Sequence, residues 1–249
     1  MSRQQIDGDS QTLHARVLRQ IRADIVTCRL MPNERLTLEA LRDRYQAGWS
    51  PIREALMRLE AEGIVRLEQN KGFRVAAVSR VGLYDLMHSR MELESITLSR
   101  SIENGGVEWE ATLLAAFHRL SKQTKLRRSQ SGMISAEWSK EHRAFHHALV
   151  SACNSPTLLS IRESLFEKAE RYVALSIMSK APPRNDVLEH EQIMQAALAK
   201  KVKRAVALNR QHIERTLNKV AKSLENHPEF LKPANAGAPA LQADMLLAG

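Results

Sequence analysis

The chain has 249 residues, of which 43% are apolar and 26% charged, as in a soluble protein with one or two hydrophobic cores. It lacks an apolar run of the roughly 18 residues that a membrane span needs, a secretory signal and a CxxC pair, so we expect a reduced cytoplasmic protein without a membrane partner. The net charge of +9 is compatible with a nucleic acid partner, but solvated helix faces give the same excess, so motifs must decide.

The first elements in chain order are two predicted helices. Apolar residues recur at helical spacing over Leu13–Thr27 and predict the first helix. The segment Met31–Asn33 contains Pro32 and ends it. Thr37 is the predicted N-cap of a short second helix, because its hydroxyl can accept a hydrogen bond from a free backbone N–H.

A third helix is predicted after a tight turn at residues 46–49. Ser50 and Pro51 are its predicted N-cap and first residue, because proline lacks the N–H that would have no partner there. Gly63 is the expected left-handed residue at its end. Its buried stripe is predicted to contain Ile52, Ala55, Leu56 and Leu59.

A β-hairpin with a basic tip is predicted next. Two β-rich runs, Ile64–Leu67 and Phe73–Val75, flank the turn residues Gln69–Gly72. Helix, helix, turn, helix and hairpin in this order indicate a winged helix-turn-helix DNA-binding domain over residues 10–76.

The candidate DNA-binding residues lie on three parts of this domain. Arg53 stands off the buried stripe of the third helix, so it is predicted to reach a base edge or a phosphate. Arg42 and Arg44 on the preceding helix are predicted to contact phosphates. The full candidate set is Arg42, Arg44, Trp49, Ser50, Pro51, Arg53, Lys71 and Gly72.

The rest of the chain predicts an all-α antiparallel bundle. After a linker at 77–80, strand signals disappear and a helical domain is expected over 81–226, followed by a flexible tail at 227–249. Its six predicted helices are Val81–Asn104, Glu108–Lys125, Ile134–Ala152, Pro156–Met178, Asp186–Ala199 and Val202–Glu225. The fold class is therefore mainly α, with one small β-hairpin in the N-terminal domain.

The stretch GWSPIREALMRLEAEGIVRLEQNKGFRV resembles the hallmark segment of the GntR family of transcription regulators. One departure is Gly48-Trp49, where many relatives carry Ser-Arg, so an indole replaces a base-reading arginine. We therefore carry over no operator sequence from the family. We expect a homodimer that binds a palindromic operator on double-stranded DNA, with repression relieved by an effector and activation as the alternative.

The helical part resembles the FCD effector-binding domain of the FadR-like branch, and its six helices make it similar to the VanR-like subset. The resemblance rests on RMELE, EHRAFHHALVSACNSPTL, HEQIMQAAL and RQHIE. It implies a divalent metal, zinc or alternatively nickel, held by His142, His146, His190 and His212, and an effector contact at Asn154. The first ligand position is Asp in most relatives and His142 here.

Two residues of the first bundle helix are candidates for effector binding. Arg90 interrupts an apolar stripe, so a buried guanidinium there needs an anionic partner. That partner is either Glu94, one turn away, or the carboxylate of an effector, and the sequence leaves both open. EWEATLLAAFHRLSK and LFEKAERY resemble regulators of glutarate and 4-aminobutyrate catabolism, which implies a short dicarboxylate such as glutarate.

Two other functions compete with this interpretation. A metal-dependent helical-bundle enzyme would need paired Glu-x-x-His motifs, whereas the residues three positions before His142, His146 and His190 are Ser139, Arg143 and Val187. A non-specific nucleic-acid-binding protein would use the basic faces, but the few aromatic residues form no stacking platform for RNA. We therefore predict a regulator and not an enzyme.

Overall fold

The computed structural model describes the backbone of residues 3–125, 135–178 and 186–226. The described residues form two compact units, and the chain passes from the first to the second between Ser79 and Arg80. No helix in the described ranges is both long enough and apolar enough to cross a membrane. The predicted tail at 227–249 and the predicted helix start at Ile134 lie outside the described residues.

The first unit contains three helices and a three-stranded antiparallel sheet. The elements are α1 (Arg3–Val26), β1 (Arg35–Leu36), α2 (Leu38–Tyr45), α3 (Trp49–Ala61), β2 (Val65–Glu68) and β3 (Gly72–Val75). Helix α1 starts at Arg3, ten residues before the predicted start at Leu13. The core of this unit is built from apolar side chains of α1, α2 and α3 together with the strands.

The start of α3 differs from the prediction. The helix begins at Trp49 with Gly48 as its N-cap, so Ser50 is not the cap and Pro51 is the third helical residue. The Gly48 carbonyl accepts the first intrahelical hydrogen bond from Ile52 N at 3.4 Å, which leaves the proline nitrogen among the positions that have no acceptor. The Ser50 hydroxyl instead donates to Glu54 Oε1 at 2.9 Å. Because proline is tolerated throughout the first turn, Pro51 does not mark the first helical residue, and the predicted helix start lies two residues too late.

Two other end signals of these helices are confirmed. Thr37 is the N-cap of α2, and its Oγ1 accepts from Ala40 N at 3.4 Å. Gly63 follows α3 with φ of 74°, a left-handed conformation that glycine adopts without a Cβ penalty.

The hairpin is confirmed, with strand ends displaced by one residue. Strands β2 and β3 pair antiparallel with Val65 opposite Val75. The sequence prediction missed β1, which adds two residues at the other edge of β3, with Leu36 opposite Phe73. So short a strand has no alternating pattern of its own and is held by its partner.

The second unit is a six-helix bundle. Its elements are α4 (Arg80–Asn104), α5 (Val107–Ser121), α6 (Ala136–Val150), α7 (Pro156–Met178), α8 (Asp186–Leu198) and α9 (Val202–Glu225). Helix α4 starts inside the predicted linker, and α5 ends at Ser121, four residues before the predicted end at Lys125. Helix α4 packs against α6, α7 and α9, and α8 packs against α5 and α9. This arrangement turns one face of α6, α7, α8 and α9 toward a common interior.

Candidate metal centre and nucleic-acid interface

Four histidines from three helices converge in the interior of the second unit. His142 and His146 lie one turn apart on α6, His190 is on α8 and His212 is on α9. One candidate ligand atom from each lies within 4.8 Å of the other three. His146 Nε2 is 3.2 Å from both His142 Nε2 and His190 Nε2. The four side chains predicted as metal ligands are therefore brought together.

The hydrogen-bonding capacity of these rings fits a cation at their centre. A neutral imidazole nitrogen is either a donor or an acceptor, so His146 Nε2 cannot satisfy lone pairs on both neighbouring rings. His212 Nδ1 lies 2.9 Å from Glu189 Oε2, and a carboxylate only accepts, so the proton is on Nδ1 and the lone pair is on Nε2. Arg215 Nη1, 3.2 Å from the other Glu189 oxygen, holds that carboxylate in place.

Burial also keeps two of the rings neutral. The pKa of His142 and the pKa of His146 are both lowered well below 6.5, in each case first by burial. The next cause is the Lys125 ammonium for His142 and the adjacent His142 ring for His146. Neutral imidazoles present free lone pairs near neutral pH, as coordination requires.

Aromatic and charged side chains surround His142, the first of the four histidines along the chain. The Trp138 ring stacks on His142 with centroids 4.4 Å apart and an interplanar angle of 19°. Lys125 Nζ lies 4.5 Å from the Trp138 ring centroid and contacts the buried Asp186 carboxylate. The stacked ring of Trp138 therefore restricts the orientation of His142.

A second buried group contains two arginines and one carboxylate. Arg90 Nε lies 3.4 Å from Glu94 Oε1, and Arg162 Nε and Nη2 both lie 3.1 Å from the same oxygen. Arg162 is 1% exposed and Glu94 is 2% exposed. Burial lowers the pKa of Arg90, and the charge of Glu94 opposes that shift. Arg162 Nη2 is buried and makes no hydrogen bond to the described residues. The two guanidiniums thus share the Glu94 carboxylate, and Arg162 Nη1 also contacts Glu163 Oε2 at 3.4 Å.

The Phe166 ring lies close to two of the histidines and to both arginines. His142 and His146 have ring centroids 6.1 and 5.5 Å from that of Phe166. The guanidinium carbons of Arg90 and Arg162 lie 4.4 and 4.9 Å from the same centroid. Both groups therefore belong to one buried region.

Three residues of this region were absent from the sequence prediction: Arg162, Phe166 and Trp138. Arg162 shares with Arg90 the signal of a charged residue on an apolar helix stripe, four residues before Phe166, and could have been found by it. In contrast, the predicted effector contact Asn154 is exposed in the turn between α6 and α7. Its φ of 53° is a left-handed conformation that asparagine tolerates, so its visible role is in closing that turn.

The exposed face of α3 carries the predicted DNA contacts of the first unit. Trp49, Arg53 and Met57 recur every four residues and are all exposed, so they share one face of the helix. Ser50 is on the same exposed turn, and Pro51 is partly buried. Lys71 and Gly72 are exposed at the hairpin tip, where Gly72 has φ of 80°.

The two arginines of α2 have different surroundings. The Arg44 Nη2 atom is 2.9 Å from the Asp24 carboxylate, which also accepts from the Tyr45 hydroxyl at 2.8 Å. The guanidinium carbon of Arg42 instead lies 4.2 Å from the centroid of the Trp49 ring. The fixed carboxylate of Asp24 orients Arg44, whereas an aromatic ring orients Arg42.

Two family models match the chain. Residues 13–75 match bacterial regulatory proteins of the gntR family, and residues 85–215 match the FCD domain.

Two other bacterial proteins are similar in sequence over most of their length. The HTH-type transcriptional repressor GlaR of Escherichia coli (strain K12) is 37% identical over 199 residues, 78% of this chain and 90% of that protein. The HTH-type transcriptional regulator BphR of Paraburkholderia xenovorans (strain LB400) is 36% identical over 201 residues, 81% of this chain and 82% of that protein.

A solved structure shows the same fold. E. coli McbR/YncC superposes with a TM-score of 0.71 at 20% identity, covering 84% of this chain and 97% of that chain.

Proposed function

The chain belongs to the GntR family of bacterial regulatory proteins, with an FCD domain, and is a DNA-binding transcription regulator; we propose that it is a repressor released from its operator by a small carboxylate bound beside a divalent metal ion. The observation that carries the effector part is the buried region in which a cluster of four histidines and a pair of arginines both border the ring of Phe166. The family assignment places the chain among regulators and not among enzymes.

The residues that would hold the metal are His142, His146, His190 and His212. Four nitrogen ligands suit zinc, and nickel as an alternative. A bound divalent ion would act as a Lewis acid that accepts a carboxylate oxygen at an open coordination position. Because all four protein ligands are neutral when deprotonated, the ion would keep its full positive charge and favour an anionic effector.

The arginine pair supports an effector with a second carboxylate. Both buried guanidiniums share Glu94 Oε1, and Arg162 Nη2, although 3.1 Å from that oxygen, makes no well-aligned hydrogen bond to the described residues. Guanidinium groups bind carboxylates through two parallel hydrogen bonds. A short dicarboxylate such as glutarate would therefore place one end at the metal and the other at Arg90 and Arg162, on either side of Phe166.

The first unit supplies the DNA contacts in this proposal. The N-terminal half of α3, with Ser50 and Arg53, would enter the major groove, while Arg44, Lys71 and Gly72 would approach the phosphate backbone. Two copies paired through their helical domains would match a palindromic operator and combine two half-site contacts. For release, the effector must favour the non-binding arrangement by a few kcal/mol, about 5.5 for a complete switch.

A thermal-shift titration with short mono- and dicarboxylates tests the effector part, on protein with and without prior chelation. At about 100 times its dissociation constant, an effector adds about 2.7 kcal/mol to the free energy of unfolding. We expect a dicarboxylate to raise the melting temperature and chelation to abolish this rise. Metal content of the double variant His146→Ala, His190→Ala, measured by elemental analysis, should fall to background. No shift with any acid, together with full metal content in that variant, contradicts the proposal.

An operator titration tests the DNA-binding part. Arg53→Ala should weaken binding by about 1–3 kcal/mol if its guanidinium contacts a base edge. Arg58→Ala is a matched control, because Arg58 is also exposed on α3 but lies more than one turn further from the N-terminus. Equal affinities of wild type and Arg53→Ala would exclude the assignment.

A further inference from the structure

At the start of α3, the aromatic ring of Trp49 stacks against the guanidinium of Arg42. Trp49 is the first residue of the helix and is 46% exposed, although a large apolar side chain gains nothing from contact with water. One face of the indole is covered by the Arg42 guanidinium at 4.2 Å. This cation–π contact fixes the ring where it would meet the major groove.

Among the described residues, the contact of Arg42 with the Trp49 ring is the main interaction of its guanidinium. Its Nε is buried and has no hydrogen-bond acceptor there. Arg44, two residues further along the same helix, is instead oriented by an ion pair with Asp24. The face of the Arg42 guanidinium therefore packs against the indole. The terminal nitrogens of Arg42 can still donate hydrogen bonds to a phosphate from this fixed position.

The chemistry of an indole determines which base it can recognise. Indole has a single N–H donor and no acceptor, so it cannot make the bidentate contact to guanine O6 and N7 that an arginine makes. Its exposed surface is apolar. In the major groove the apolar group is the 5-methyl of thymine.

We infer that Trp49 and Arg42 form one reading unit, in which Arg42 positions the indole against the 5-methyl group of a thymine in each operator half-site. This inference rests on the proposed DNA-binding role of α3 and names a determinant of its specificity. Trp49 makes the contact with the base, and Arg42 is a positioning residue that couples this contact to the phosphate backbone.

Removal of one methyl group from the DNA tests the inference. The operator is first obtained by selection of duplexes from a random library with the full-length protein. Each half-site thymine is then replaced by deoxyuridine, which lacks only the 5-methyl group. One such replacement should weaken wild-type binding about fourfold, the equivalent of one buried methyl group. The same replacement should leave the affinity of Trp49→Ala unchanged.

Substitutions at two arginines separate positioning from simple charge. Arg42→Lys keeps the positive charge for a phosphate but loses the planar stacking face. It should reduce the deoxyuridine penalty while retaining most of the affinity and the salt dependence. Arg44→Lys is the matched control on the same helix and should retain the full penalty. Trp49→Arg should change the selected base at this position from thymine to guanine.

Three outcomes overturn the inference. If no deoxyuridine position has a penalty that depends on Trp49, the indole does not contact a thymine methyl group. If Arg42→Lys and Arg44→Lys keep the same penalty, Arg42 does not position the ring. If the wild-type protein enriches no sequence at all, the DNA-reading role of α3 fails, and the inference fails with it.

Discussion

Replacing Glu94 by glutamine tests the electrostatics of the buried arginine pair. Both guanidiniums lie within hydrogen-bonding or ion-pair distance of Glu94 Oε1, at 3.1 Å for Arg162 and 3.4 Å for Arg90. With an effective dielectric constant of about 20, each attraction amounts to about 5 kcal/mol. Glutamine keeps the volume but not the charge, so both guanidiniums stay desolvated. Relaxation and water entry reduce the net loss, and we expect the free energy of unfolding to fall by about 3–5 kcal/mol.

The assay is thermal unfolding followed by tryptophan fluorescence in a Trp49→Phe background, so that the signal comes from Trp109 and Trp138 of the helical unit. A loss of this size lowers the melting temperature by about 6–20 °C for a domain of this length. Glutarate should raise the melting temperature of Glu94→Gln by more than it raises that of the wild type, because an added carboxylate replaces the missing charge.

The matched control for this experiment is Glu92→Gln on the same helix. Glu92 is 70% exposed and pairs with Arg210 at 2.9 Å, so its removal should cost less than about 1 kcal/mol. The reasoning is refuted if Glu94→Gln also loses less than 1 kcal/mol by this assay. It is refuted as well if both variants are destabilised equally.

Three further predictions concern the helical unit. In chelated protein the pKa values of His142 and His146 are depressed, so below about pH 6.5 the unfolded chain binds more protons than the folded one. As the pH is lowered below this value, the free energy of unfolding should fall by up to about 1.4 kcal/mol per pH unit for each ring. Urea titrations between about pH 7.5 and 5 measure this, and a free energy of unfolding that does not change with pH contradicts the prediction. A Cβ on Gly105 would clash with the ring of Trp109 and lie 2.7 Å from the backbone oxygen of Ser101, so Gly105→Ala should cost about 1–3 kcal/mol in chemical denaturation. Gly106→Ala meets nothing within 4 Å and should cost less than about 1 kcal/mol; equal losses would exclude the steric explanation. Phe166→Leu opens the space between the histidines and the arginines, so thermal-shift titrations should show preference moving from glutarate to longer diacids, whereas an unchanged preference excludes a spacer role.

Local signals predicted much of the first unit. The hydroxyl of Thr37 and the left-handed φ of Gly63 are requirements of the helix ends themselves, and both were read from residue type and spacing. The start of α3 was misplaced by the same kind of reasoning, because Pro51 suits any of the first helical positions. Strand β1 depends on hydrogen bonds from β3 and had no local signal.

In the helical unit, sequence spacing alone determined that His142 and His146 share one face, since residues four apart lie one above the other on a helix. The family resemblance added His190 and His212 to the candidate set. Only the packing of α6, α8 and α9 brings the four ligand atoms within 4.8 Å of one another. Packing also decided that Arg162 joins Arg90 at the Glu94 carboxylate. Arg162 lies 68 residues from Glu94 along the chain, so no local signal predicts that contact. The sequence by itself determined helix faces and ends, which depend on neighbours along the chain; the tertiary structure decided which faces meet, which depends on how six helices bury their apolar stripes together.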